Sequence, residues 1–145
     1  MKMGQTATIS PTGRHKITAA RQRLVLCHLM IDLMRGLHGA YAPATESFGE
    51  RLETFFVGLC VAVGHIEGQP FTIAKIATYM RMSRTTVMRR LRRLRDWGLV
   101  YEEGHHYYAH EKALNSLIGM RSYRQIRQIL NQAHEQLTAL DAAPE

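Results

Sequence analysis

Apolar residues recur at three- and four-residue spacings through most of the chain, and the stretches differ in how wide the apolar surface is. Residues 14–37 carry Ala20, Leu24, Cys27, Ile31 and Met34, with Leu26, Met30, Leu33 and Leu37 in an adjacent stripe. That spacing predicts a long helix with apolar residues on more than one side. From Ser47 to Ile66, the positions Phe48, Leu52, Phe55, Leu59, Val63 and Ile66 predict a second long helix. Ser47 and Glu50 have the spacing of a capping box at its start. Residues 72–97 hold two shorter patterns around a break at Arg81-Met82: Ile73, Ile76, Ala77 and Met80, then Val87, Leu91 and Leu94. Ser83 stands where the second of these helices needs an N-cap. Two helices joined by so short a turn form a helix-turn-helix.

The pattern then changes to strand. Leu99–Glu102 and His106–Ala109 are rich in β-formers and flank a turn signal at Glu103-Gly104, which predicts a hairpin. Gly98 suits a left-handed cap before it. Helical spacing resumes from Glu111 to about Ile118. A last segment places Tyr123, Ile126, Leu130, Ala133, Leu137 and Leu140 on a heptad seam. The fold class is therefore mainly α with a small β-hairpin wing. A winged helix-turn-helix core spans 45–110. A mobile N-terminal arm (1–13), an N-terminal dimerisation helix with its linker (14–44) and C-terminal dimerisation helices (111–145) flank it. The interface between two copies should draw on Leu24, Ile31, Tyr123, Ile126, Leu130, Leu137 and Leu140, because the seam is longer than one helix of the same chain can cover.

Charge gives the central pair its meaning. Residues 72–97 contain Lys75, Arg81, Arg84, Arg89, Arg90, Arg92, Arg93 and Arg95 against one acid, Asp96, and so account for the whole chain's net +7. A solvated helix face normally interleaves acids for i,i+4 pairing. No acid lies between Lys75 and Asp96, so these arginines call for an external polyanion. With Val87 at the centre of the buried face, Thr85, Arg89 and Arg93 point outward, and Thr86 and Arg92 lie beside them. Thr85, Thr86 and Arg89 are candidates for base edges in the major groove of double-stranded DNA. Arg84, Arg90, Arg92 and Arg93 are assigned to phosphates, and Ser83 joins the contact set at the start of the recognition helix, residues 83–97.

Other chemistry finds no support. His110-Glu111 begins a zinc-protease pattern, but its second histidine position holds Leu114; His65-Ile66-Glu67 begins a deaminase pattern with no P-C-x-x-C behind it. His105, His106 and His110 lack the Cys or Asp that would complete a metal site. No catalytic residue, metal or cofactor is assigned. Cys27 and Cys60 read as buried small hydrophobes in a reducing compartment. The absence of a signal-peptide core or long apolar run predicts a cytoplasmic protein with no membrane partner. Replication, partition and architectural proteins would use the same DNA contacts, and a winged helix can also serve as a protein-interaction module.

The stretch IAKIATYMRMSRTTVMRRLRRLRDWGLVY, residues 73–101, resembles the MarR-type winged helix-turn-helix regulators: an alanine-containing helix, a serine-bearing turn, a Thr-Val pair and a closing Gly-Leu-Val. The resemblance implies a transcriptional regulator that binds a near-palindromic duplex as a homodimer, with a small-molecule effector as a further partner. Two departures stand out. Arg81 occupies a turn position where the family often has glycine, which implies a strained or altered turn. The wing, YEEGHHYY, has no arginine at its tip, so His105 and His106 stand in for one in part.

Overall fold

A computed structural model describes residues 11–38, 46–117 and 120–143. Its elements are α1 (Pro11–His38), α2 (Phe48–Ile66), α3 (Ile73–Met80), α4 (Arg84–Asp96), β1 (Val100–Glu103), β2 (His106–Ala109), α5 (Glu111–Leu117) and α6 (Met120–Asp141). They fall into two compact units, one of α1 as far as Gly36 with α6 from Arg124 onward, and one spanning residues 37–123. The expected mainly helical chain with one antiparallel hairpin is what forms.

In the larger unit α2, α3 and α4 close around Val57, Val61, Ile76, Val87 and Leu91, all essentially without solvent exposure. Each helix starts on a hydroxyl cap. The Ser47 and Glu50 side chains exchange hydrogen bonds with each other's backbone at 3.3 Å, Thr72 Oγ1 accepts from the Lys75 amide at 3.2 Å, and Ser83 Oγ accepts from the Thr86 amide at 3.1 Å. The Phe48–Ile66 spacing forms the expected helix α2, but its stripe is not the side that enters this core. Phe48, Val63 and Ile66 are exposed, and the buried side is Val57, Cys60, Val61 and Gly64. That side wins because its residues are small. A Cβ on Gly64 would stand 2.6 Å from Phe71 Cδ1 and 2.8 Å from the Gln69 carbonyl oxygen.

β1 and β2 pair in the register Val100↔Ala109 to Glu103↔His106 around a two-residue turn, with Gly104 at φ 62°. Phe71 extends the sheet on the far side of β2, where its carbonyl accepts the Tyr107 amide at 2.9 Å. The next amide on that edge, Ala109, donates to His65 Nδ1 at 3.2 Å. His65, a failed motif in the sequence, therefore fastens the hairpin to α2.

α2, α3 and α4 end alike. Gly68, Arg81 and Gly98 take positive φ of 70°, 54° and 70°. The amides that follow them, of Gln69, Met82 and Leu99, reach back to the carbonyls of Gly64, Ala77 and Leu94 at 2.8, 2.9 and 2.9 Å. This Schellman arrangement satisfies carbonyls at the helix end. Glycine adopts it freely, whereas a residue with a Cβ is strained by about 1–2 kcal/mol. The altered turn expected at Arg81 is thus an ordinary cap with a strained occupant.

In the smaller unit α1 and α6 run antiparallel: Gln22 Nε2 donates to Asp141 Oδ1 at 2.7 Å, and Gly36 faces Gln125. α1 starts at Pro11, within the stretch expected to be an arm. Ala133 is buried, Ile126, Leu137 and Leu140 are half-buried, and Leu24, Ile31, Tyr123 and Leu130 are exposed. Cys27 is exposed as well, contrary to the buried position expected from its apolar surroundings, while Cys60 is buried as expected. Cys27 lies on the uncovered stripe with Leu24 and Ile31, and the apolar neighbours that spoke for its burial are themselves exposed.

Candidate nucleic-acid interface

α4 lies on α2 through Val87, Leu91 and Leu94, which fixes the rest of its surface. Arg84, Thr85, Arg89 and Arg92 are exposed, and Thr86 is half-exposed. Among the described residues, Arg84, Arg89 and Arg92 have no acidic partner. Ser83 and Thr86 are partly committed: Ser83 Oγ donates to Thr86 Oγ1 at 2.8 Å while it caps the helix. Met88, which the apolar spacing does not single out, is 47% exposed. It lies three residues after Thr85 and four before Arg92, so it shares their face.

The other arginines are held from outside the helix. Arg90, assigned to phosphate from the sequence, is 6% exposed, and its Nε donates to Glu53 Oε2 of α2 at 2.9 Å. It braces the helix and does not present a guanidinium to solvent. Arg93 points outward as expected, but its Nε stands 2.6 Å from Oε1 of Glu46, whose side chain is buried. That contact is off the axis of a hydrogen bond, so both Glu46 carboxylate oxygens lack a hydrogen-bonding partner. Arg93 is nonetheless the charge that offsets this carboxylate. Arg95 Nη1 reaches Glu102 Oε2 on β1 at 3.2 Å. Three acids that lie outside residues 72–97 thus neutralise three of its cations, and the free positive face is narrower than the sequence charge implies.

The hairpin tip carries Glu103, Gly104, His105 and His106, all exposed. Behind it, Tyr101 stacks on Tyr108 at 5.3 Å between ring centroids, and His65 meets Tyr108 edge-on at 5.9 Å. Burial raises the Tyr107 phenol above its ordinary value. The neighbouring Glu102 carboxylate adds to the rise, and Arg95 opposes it.

A basic helix capped by serine, seated on two helices and followed by a hairpin, is a winged helix-turn-helix in geometry as well as in pattern. Residues 61–106 match the MarR family. The MarR match runs from the second half of α2 through α3 and α4 into the hairpin, about a third of the chain. Comparison with curated proteins and with solved structures finds no match to the chain. Among the described residues, no helix is long and apolar enough to cross a membrane.

An apolar cleft lies beside the C-terminal end of α4, in the same unit. Thr54, Phe55, Gly58, Trp97, Val100 and Ala113 line it. Arg51 also borders it, and the buried Nε of Arg51 has no hydrogen-bond partner.

Proposed function

We propose that the protein is a sequence-specific regulator of transcription that binds double-stranded DNA as a homodimer in the cytoplasm, with α4 in the major groove. The observation that carries this reading is the face of Arg84, Thr85, Arg89 and Arg92, exposed and without acidic partners among the described residues, on a MarR-type segment. Thr85 and Arg89 lie towards the N-terminal half of α4, the half that reads bases; Arg89 can bond two acceptors of guanine, and Thr85 can offer its methyl to thymine. Arg84 and Arg92 bind phosphates. Thr86, Ser83, Arg93, His105 and His106 stand at the margin of the contact.

Dimerisation is supported by apolar stripes on α1 and on α6. Leu24 is 57%, Met30 64% and Ile31 52% exposed on α1, and Tyr123 and Leu130 are 46% and 44% exposed on α6. A second copy would cover them. A small aromatic effector with an anionic group suits the cleft, where Trp97 offers a ring and Arg51 an unpaired N–H. Trp97 is the chain's single tryptophan, so a fluorescence titration with an aromatic carboxylate reads that site directly; an unchanged signal removes it.

Selection of bound duplexes from a random pool tests the main reading. A palindrome should be enriched, and the affinity for it should fall steeply with salt, since each phosphate contact contributes about 0.9 to the slope of log K against log salt. A pool without enrichment would leave DNA recognition without support.

A further inference from the structure

The chain closes three consecutive helices with the same left-handed cap and places glycine at two of them and arginine at the third. Gly68 and Gly98 follow α2 and α4. Arg81 follows α3, two residues before Ser83 caps the recognition helix. Nothing within the described molecule rewards that choice. The Arg81 side chain is exposed and has no acidic partner among the described residues. No acid occurs from Thr72 to Arg95, so its charge is also repelled by its basic neighbours. Met82 is half-buried against the core and Ser83 is committed to the cap. Arg81 is therefore the single long cation on the turn. In a helix-turn-helix this turn adjoins the N-terminal end of the recognition helix, the end that enters the groove. A strained backbone position that carries an unpaired functional group points towards a ligand for that group.

We propose that Arg81 binds a DNA phosphate from the turn, beside the N-terminal end of α4. The planar guanidinium suits a phosphate, which it can grip through two parallel N–H groups. Phosphate contacts of this kind fix register and carry no base preference. The proposal rests on the DNA-binding reading above and adds to it a contact residue outside the recognition helix.

Arg81→Gly separates the two consequences of the arginine. Glycine removes the strain, so this variant should melt a few degrees above the wild type. It should also bind more weakly, by about threefold to tenfold at ~0.1 M salt, and its salt slope should be shallower by about 0.9 for each phosphate that is no longer held. The weakening should be equal for the selected duplex and for a scrambled duplex of the same length. Arg81→Lys should recover most of the slope without the gain in melting temperature. Binding by Arg81→Gly that equals the wild type at every salt concentration would overturn the proposal, and a weakening confined to the selected duplex would overturn the phosphate assignment. Both results differ from failure of the DNA reading itself, in which the wild type enriches no duplex at all.

Discussion

At the scale of single residues, two of the three glycines of α2, Gly58 and Gly64, make opposite predictions although both interrupt a helix. A Cβ on Gly58 would meet Leu94 Cδ2 at 3.6 Å, an ordinary contact. Gly58→Ala should therefore gain helix propensity and stabilise the protein by up to about 1 kcal/mol. Gly64→Ala drives its methyl into the Gln69 carbonyl and the Phe71 ring, and should cost about 1–3 kcal/mol. Thermal melts of the two variants check this, and equal shifts would refute the packing described for Phe71. Tyr107 gives a prediction in pH. Its phenol is held protonated in the fold, by burial first and by Glu102 second. The stabilisation this brings is complete below the ordinary tyrosine value of 10.0 and is lost as pH rises through the higher value in the fold. Tyr107→Phe should thus lose less stability than the wild type when denaturant melts at about pH 9 and 11 are compared. The caps at Ser47 and Ser83 were legible in the sequence because a cap and its partner are three residues apart.

At the scale of elements, legibility followed the range of the interaction. Helical spacing repeats within a few residues, so α2, α3, α4 and the hairpin could be read directly. The acids that hold Arg90 and Arg93 could not, because Glu53 is 37 residues from Arg90 and Glu46 lies farther still from Arg93. α2 shows a second limit: it is apolar on two sides, and spacing alone does not say which side carries the smaller residues that let neighbours approach. The braces on α4 lead to a paired test. Arg90→Met should destabilise the protein by about 1–3 kcal/mol, since Glu53 is left without its partner, and should leave the salt slope of DNA binding unchanged. Arg92→Ala should do the reverse, with an unaltered melting temperature and a slope shallower by about 0.9 per phosphate released. A lower slope for Arg90→Met would restore Arg90 to the phosphate-binding set.

At the scale of the whole molecule, the exposed stripe of α1 turns Cys27 into a reporter. Cys27 lies between Leu24 and Ile31 and is exposed in the single chain, whereas Cys60 is buried and its thiol is raised by desolvation. In a homodimer Cys27 should react with maleimide more slowly at tens of micromolar protein than at nanomolar, and Cys60 should resist until the fold opens. Leu130→Glu with Leu137→Glu should abolish that concentration dependence, halve the sedimenting mass and weaken DNA binding. A wild type that sediments as a monomer would refute dimerisation. The hairpin, too, bears on self-association. A sheet this small has two edges, and an open edge is a template for another strand. β2 presents no free donor there, since Phe71 takes the Tyr107 amide and His65 takes that of Ala109. Only the four residues of β1 remain open among the described residues, and two of them are Glu102 and Glu103. Chains crowded together therefore meet one another with a short, acid-bearing edge, and the hairpin offers little purchase for strand-by-strand aggregation.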